Sequence, residues 1–106
     1  MSVVYLIRQV DQNGEELYKI GVTKNSIETR LKCLQTGSPH QLDLLGYYKS
    51  PNYKKIEKWL HRSYNAQKLV GEWFNLTPQQ VLSFTDDCIS IDKTVSMLLE
   101  YNPFYN

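Results

Sequence analysis

Arginine, lysine, tyrosine, glutamate and histidine are side chains that can act on a phosphate ester, and this 106-residue chain places each of them at suggestive spacings. Tyr18 and Lys19 lie in a short apolar run that ends in Ile20-Gly21, and Arg30 follows at the margin of a helical stripe of Ile27, Leu31 and Leu34. That spacing lets Arg30 share a pocket with Tyr18 or Lys19. Its planar fork of donors fits a pair of phosphate oxygens better than a lysine does. Glu57 and His61 are one helical turn apart and share a face. Tyr5 adds a phenol on the leading strand; with an ordinary pKa of about 10, it serves as a base at neutral pH only beside positive charge. Phosphodiester hydrolysis requires an activated water, a cation for the charge at phosphorus and a way to stabilise the leaving oxygen. One site built from these residues can supply all three.

The elements that must position them follow from pattern. Val3 to Val10 is β-branched and aromatic, with both faces apolar at its start, as in a strand buried inside a sheet. It ends at Asp11-Gln12-Asn13-Gly14. Asn-Gly is a strong hairpin signal because both residues tolerate positive φ, so Leu17 to Val22 is expected to return antiparallel. The register then decides the chemistry. A two-residue type I′ turn at Asn13-Gly14 sets Tyr5 opposite Val22 and puts Tyr18 on its face, whereas a bulge or an odd-length loop turns Lys19 toward Tyr5. The following helix is expected to begin near Ser26, with Asn25 and Glu28 as a reciprocal capping box and with Lys32 and Gln35 pointing to water.

Thr36-Gly37-Ser38-Pro39 breaks that helix, with Gly37 as its C-terminal cap, and Gln41 to Lys49 reads as a third strand. Ser50-Pro51 opens a second helix whose buried stripe is Tyr53, Ile56, Leu60 and Tyr64. Gly71 to Leu76 reads as a short closing strand. Two more helices are expected, one over Gln79 to Phe84 and one over Ile91 to Tyr101. The fold class is α/β (α+β), a small mixed or antiparallel sheet of three to four strands flanked by helices. Residues 1–78 form the main unit and 79–106 a helical extension of the same domain.

Taken together, Val3-Val4-Tyr5-Leu6-Ile7, then Lys19-Ile20-Gly21, then Arg30-Leu31 and Glu57 resemble the motifs of the GIY-YIG nuclease superfamily. The likeness is to the branch that writes its second motif Lys-Ile-Gly, found in phage and other viral proteins and in meiotically up-regulated fungal proteins. Leu34 to Pro39, Leu60-His61 and Gly71-Glu72-Trp73-Phe74 are similar to later signatures of that branch, so the resemblance covers residues 3 to 76. It implies that Tyr5 stands beside the attacking water, that Arg30 binds phosphate and that Glu57 holds a single divalent metal, Mg²⁺ or Mn²⁺. Lys19 or Tyr18 takes the place of the second-motif tyrosine; Lys19 is favoured. His61 resembles a recurrent residue that contacts phosphate or relays a proton. Leu34 stands where some members carry a histidine or tyrosine, Asn75 matches a polar residue near the domain's end, and His40 is a loop bystander.

Net charge is +1, but its distribution is uneven. From Met1 to Val70 eleven Lys and Arg face six Asp and Glu, while from Gly71 onward Lys93 faces five acids. The basic part carries the motifs, and with Lys32, Lys54, Lys58 and Arg62 it suits a polyanionic partner. The implied activity is one-metal hydrolysis of DNA by an endonuclease without a small-molecule cofactor, its specificity supplied by a partner subunit or protein. A nucleic-acid-binding module without activity is the alternative, and a protein-interaction module using the acidic, aromatic C-terminal segment is a third. No apolar run approaches the ~20 residues that span a bilayer, and no basic-then-apolar leader opens the chain, so an intracellular protein is expected. Cys33 and Cys88 lack any zinc spacing and read as two reduced thiols.

Overall fold

The computed structural model describes residues 2–101; Met1 and the end of the expected extension, 102–106, lie outside the described residues. Four strands, β1 (Val3–Val10), β2 (Glu16–Thr23), β3 (Gln41–Lys49) and β4 (Trp73–Phe74), form one sheet in the order β3-β1-β2-β4. Every pairing is antiparallel. Three α-helices complete an α+β fold: α1 (Ile27–Thr36), α2 (Tyr53–Ser63) and α3 (Pro78–Tyr101). Val3 to Ile7 of β1 are buried on both faces because helices cover both.

Alternate residues of the sheet serve two apolar layers. On one face Tyr5, Ile7 and Leu42 pack with Ile27, Leu31 and Leu34 of α1. On the other, Val4, Leu6, Tyr18 and Ile20 pack with Tyr53, Ile56, Leu60 and Tyr64, and with Phe84 and Cys88 of α3. The stripe read for α2 is therefore its buried face. Cys88 lies inside this layer and Cys33 at the surface, both as free thiols.

The β1–β2 connection settles the register. Val10 pairs with Glu16 and Tyr5 with Gly21, leaving the odd-length loop Asp11–Glu15 rather than a two-residue turn. Within that loop only Gly14 takes positive φ, at 79°. The side chain of Asp11 accepts from the amides of Asn13 and Glu15 at 2.8 and 2.9 Å, and its carbonyl accepts from Gly14 at 3.1 Å. This is a type I turn followed by a left-handed glycine, with Asp11 holding donors that a type I′ turn would have directed elsewhere.

Several local expectations are corrected. The N-cap of α1 is Ser26, whose hydroxyl accepts from Thr29 N at 3.2 Å, because the Thr23 hydroxyl takes the Asn25 amide and defers the helix start. Gln35 does not point to water; it bonds His40 O and Leu42 N, both at 2.9 Å, and so ties α1 to the start of β3. Gly37 is the C-cap at φ −90°, a conformation open to other residues. Pro51 precedes α2, whose first turn is held by Ser50 accepting from Asn52 and Tyr53. The closing strand is only Trp73–Phe74 because Gly71, at φ 59°, turns the chain away.

The largest correction is α3, which runs unbroken over 24 residues where two helices were expected. Its polar middle is not a break, because those side chains find partners. Asp87 accepts from Tyr64 and from Ser83, and Asp92 accepts from Tyr48 at 2.7 Å, Asn52 at 2.8 Å and Ser50 at 2.9 Å. Among the described residues no helix is long and apolar enough to cross a membrane.

Candidate active site

β2 is the strand on which the candidate site is built. Pairing with β4 covers Tyr18 and Lys19, and one further bond, Ile20 N to Glu72 O at 3.2 Å, closes the ladder. Beyond it the edge of β2 is open at Ile20 O and Gly21. Side chains from both helical layers converge on that notch.

Tyr5 enters from the α1 face. Its ring is fully buried, and its hydroxyl accepts a hydrogen bond from Arg30 Nε at 3.2 Å. Arg30 is delivered by the first turn of α1, at the edge of the stripe that seats the helix on the sheet. Lys19 lies on the same face as Tyr5, since Tyr5 pairs with Gly21 and side chains alternate. Tyr18 points the other way, into the α2 layer, with its hydroxyl bonded to Glu16 at 2.6 Å.

From the α2 side come Glu57 and His61. His61 Nε2 lies 3.0 Å from Ile20 O; a carbonyl only accepts, so that nitrogen carries the hydrogen. The ring also meets Phe74 edge-on, with centroids 4.8 Å apart. His61 thus clamps α2 to the open edge of β2. One turn back, Glu57 Oε2 lies 4.0 Å from His61 Nε2 and is buried without a hydrogen-bond partner among the described residues.

A residue not singled out from sequence as chemical, Glu72, stands at the centre. Its Oε1 lies 3.3 Å from Lys19 Nζ, and Lys19 also sits over the Trp73 ring at 5.3 Å. A Cβ on Gly21 would come within 2.5 Å of the Tyr5 hydroxyl and 2.8 Å of Glu72 Oε1. Glycine is therefore required here by close approach, and both groups pack against its bare Cα. Glu72 occurs within the Gly-Glu-Trp-Phe signature, but it is adjacent to Lys19 only through the two-residue β4, a pairing that periodicity cannot reveal.

The protonation states follow from this crowding. Burial raises the Tyr5 phenol; Arg30 pulls it down by its hydrogen bond and charge, while Glu72 and Glu57 push it further up. Burial likewise raises Glu57, with Glu72 adding to the rise and His61 and Lys19 opposing it. Arg30 is held charged by its bond to Tyr5. A cation beside Glu57 would meet an orphaned buried oxygen and remove both penalties on its charge. Among the described residues no group of three or more His, Cys, Asp or Glu could together hold a metal ion.

The basic residues divide. Lys54 and Lys58 of α2, with Lys55, Glu57 and Val22, line a depression of about 390 Å³, and Arg62 follows one turn after Lys58. Lys32 is exposed on α1, over the opposite face of the sheet. Asn75 is exposed and gives only its backbone amide, to Gln67 O at 2.8 Å. His40 sits in the turn before β3, bonded through its backbone to Ser38 and Gln35.

No curated protein and no solved structure matches the chain. A family match does exist and covers most of it, from β1 well into α3: residues 2–89 fit the T5orf172 domain. That span contains every residue converging on the notch at Gly21. The chain belongs to the T5orf172 domain family, which lies within a nuclease-like superfamily.

Proposed function

We propose that this protein is a metal-dependent DNA endonuclease of the Lys-Ile-Gly branch of the GIY-YIG superfamily, hydrolysing phosphodiester bonds at the Gly21 notch. One observation carries the reading: a buried phenol bonded to an arginine meets the Glu72 carboxylate at a bare glycine, and close enough to raise that phenol's pKa stands Glu57, one of whose oxygens is buried and unpartnered among the described residues. A purely structural cluster would satisfy that oxygen, since buried polar groups are almost always paired.

In this reading Glu57 holds Mg²⁺ or Mn²⁺, and the ion, when bound, supplies Lewis-acid polarisation of the phosphate. The chain's own residues do the rest. Arg30 presents the remainder of its guanidinium to a non-bridging oxygen while its Nε fixes the Tyr5 hydroxyl beside the attacking water. Lys19 adds positive charge that a phosphate must take over from Glu72. His61 acts as a positioning residue, holding the turn of α2 that bears Glu57. Lys54, Lys58 and Arg62 guide the strand along α2, and Lys32 contributes to the positive field from the other side.

The test is cleavage of supercoiled, branched and flapped DNA in Mg²⁺ or Mn²⁺ by the native chain and by Glu57→Gln. Cleavage by the first and loss of it in the second is expected, with a melting point no lower than the native chain's as the control for folding. Equal activity in both would remove Glu57 from the chemistry. Salt-sensitive DNA binding without cleavage by the native chain would favour a binding module instead, because phosphate contacts weaken steeply with added salt.

A further inference from the structure

A second concavity lies against the notch on the α1 side. It encloses about 330 Å³ between Trp73, Lys19, Gln9, Leu34, Leu42 and Pro39. That volume falls in the lower range of small-ligand sites, and one wall is an indole. Lys19 belongs to both concavity and notch, so the two are contiguous. Gln9 lies on β1, and its side-chain amide bonds no other described residue. It therefore offers a donor and an acceptor together, the pattern that pairs with the edge of a nucleobase. Leu34 and Leu42 give an apolar floor, and Pro39 a flat flank.

We infer that this cleft is a nucleobase site, taking one unpaired base of the strand whose phosphate occupies the notch. The inference rests on the nucleic-acid reading given above. A phosphate at Lys19 brings the neighbouring nucleotide to the cleft, and stacking on an aromatic side chain holds any base because every base has a π-face. A base inside a duplex has both faces covered by its neighbours and its edge spent on its partner. The cleft therefore selects DNA that is single-stranded or flipped out next to the cut, such as a flap or branch, over continuous duplex.

The chain has two tryptophans, Trp59 and Trp73, so Trp59→Phe leaves Trp73 as the sole indole reporter. Without metal, so that nothing is cut, this variant is titrated with a short oligothymidylate, an abasic oligomer of equal length and charge, and a blunt duplex. The expected result is indole quenching by oligothymidylate alone, with binding about tenfold tighter than to the abasic strand. Gln9→Ala in the same background should weaken oligothymidylate severalfold and leave abasic binding unchanged. Equal binding of normal and abasic strands without quenching would overturn the base site and leave the DNA reading standing. Failure to bind any of the three would overturn both.

Discussion

Arg30 Nε donates to the Tyr5 hydroxyl across 3.2 Å, joining the first turn of α1 to the central strand of the sheet. The bond does two things at once. It satisfies a buried phenol oxygen, and it restrains the plane of the guanidinium beside the notch. Arg30→Lys keeps the charge and loses the fork. Turnover should drop by roughly 100-fold, the scale of losing one oriented donor at an oxyanion, with little change in DNA affinity. Single-turnover cleavage beside equilibrium binding would check this; a lysine variant that cleaves normally reduces Arg30 to part of the general field.

Gly21→Ala tests the close approach directly. Its Cβ would overlap the Tyr5 hydroxyl and Glu72 carboxylate, and Tyr5 is fully buried and has no room to retreat. Overpacking of this kind costs about 1–3 kcal/mol, so denaturant unfolding should show a loss in that range. Cleavage should fall far more than stability does, because the displaced atoms are those of the site.

The two residues preceding Ile20 should part company. Tyr18 is 7% exposed and packs in the α2 layer, so Tyr18→Ala should destabilise the fold by ~3 kcal/mol or more, as truncation of a buried aromatic does. Lys19 lies on the Tyr5 face, paired with Glu72. Lys19→Ala should abolish most cleavage while moving stability by less than ~1 kcal/mol. Chemical denaturation and a cleavage assay on the two variants separate these outcomes, and the reverse pattern would reassign the site to Tyr18.

Glu57 sets a pH dependence whose sign is determined by its surroundings. Burial first, then Glu72, raise its folded pKa above the ordinary 4.5, so the folded state favours the protonated form. Its contribution to stability is fully present below the unfolded pKa and is lost as pH rises through the folded one. Glu57→Gln should therefore melt higher than the native chain near pH 7, with the gap closing near pH 4. Added Mg²⁺ should raise the native melting point at neutral pH and leave the glutamine variant unmoved, because only a ligand-binding native state is stabilised by mass action. Identical melting of both proteins under all these conditions would contradict the assignment.

Much of this arrangement could be read from residues in sequence order. The β-branched run of β1, the α2 stripe and the one-turn spacing of Glu57 and His61 are local periodicities, and each reports its own element. Lys19 falls on the Tyr5 face in the sequence reading only with help from a motif likeness, since Asn13-Gly14 by itself argues for the tighter turn and the other face. What stayed hidden was long-range. Glu72 reaches Lys19 through a strand too short to leave a pattern, and the continuity of α3 depends on Asp87 and Asp92 finding Tyr64, Ser50 and Asn52 far away in sequence. Gln35 misled for the same reason, its amide being spent on β3 rather than on water.

The loop Asp11–Glu15 touches none of the chemistry, yet its residue count governs which side chains do. Because a strand alternates, removing a single residue there would exchange the two faces of β2 wholesale. An ammonium would be driven into the apolar layer beneath α2, and a phenol would arrive beside Arg30 in its place. Parity of length, rather than identity of any residue in the loop, is thus what natural variation must conserve, and substitutions at Gln12 should be far better tolerated than its deletion.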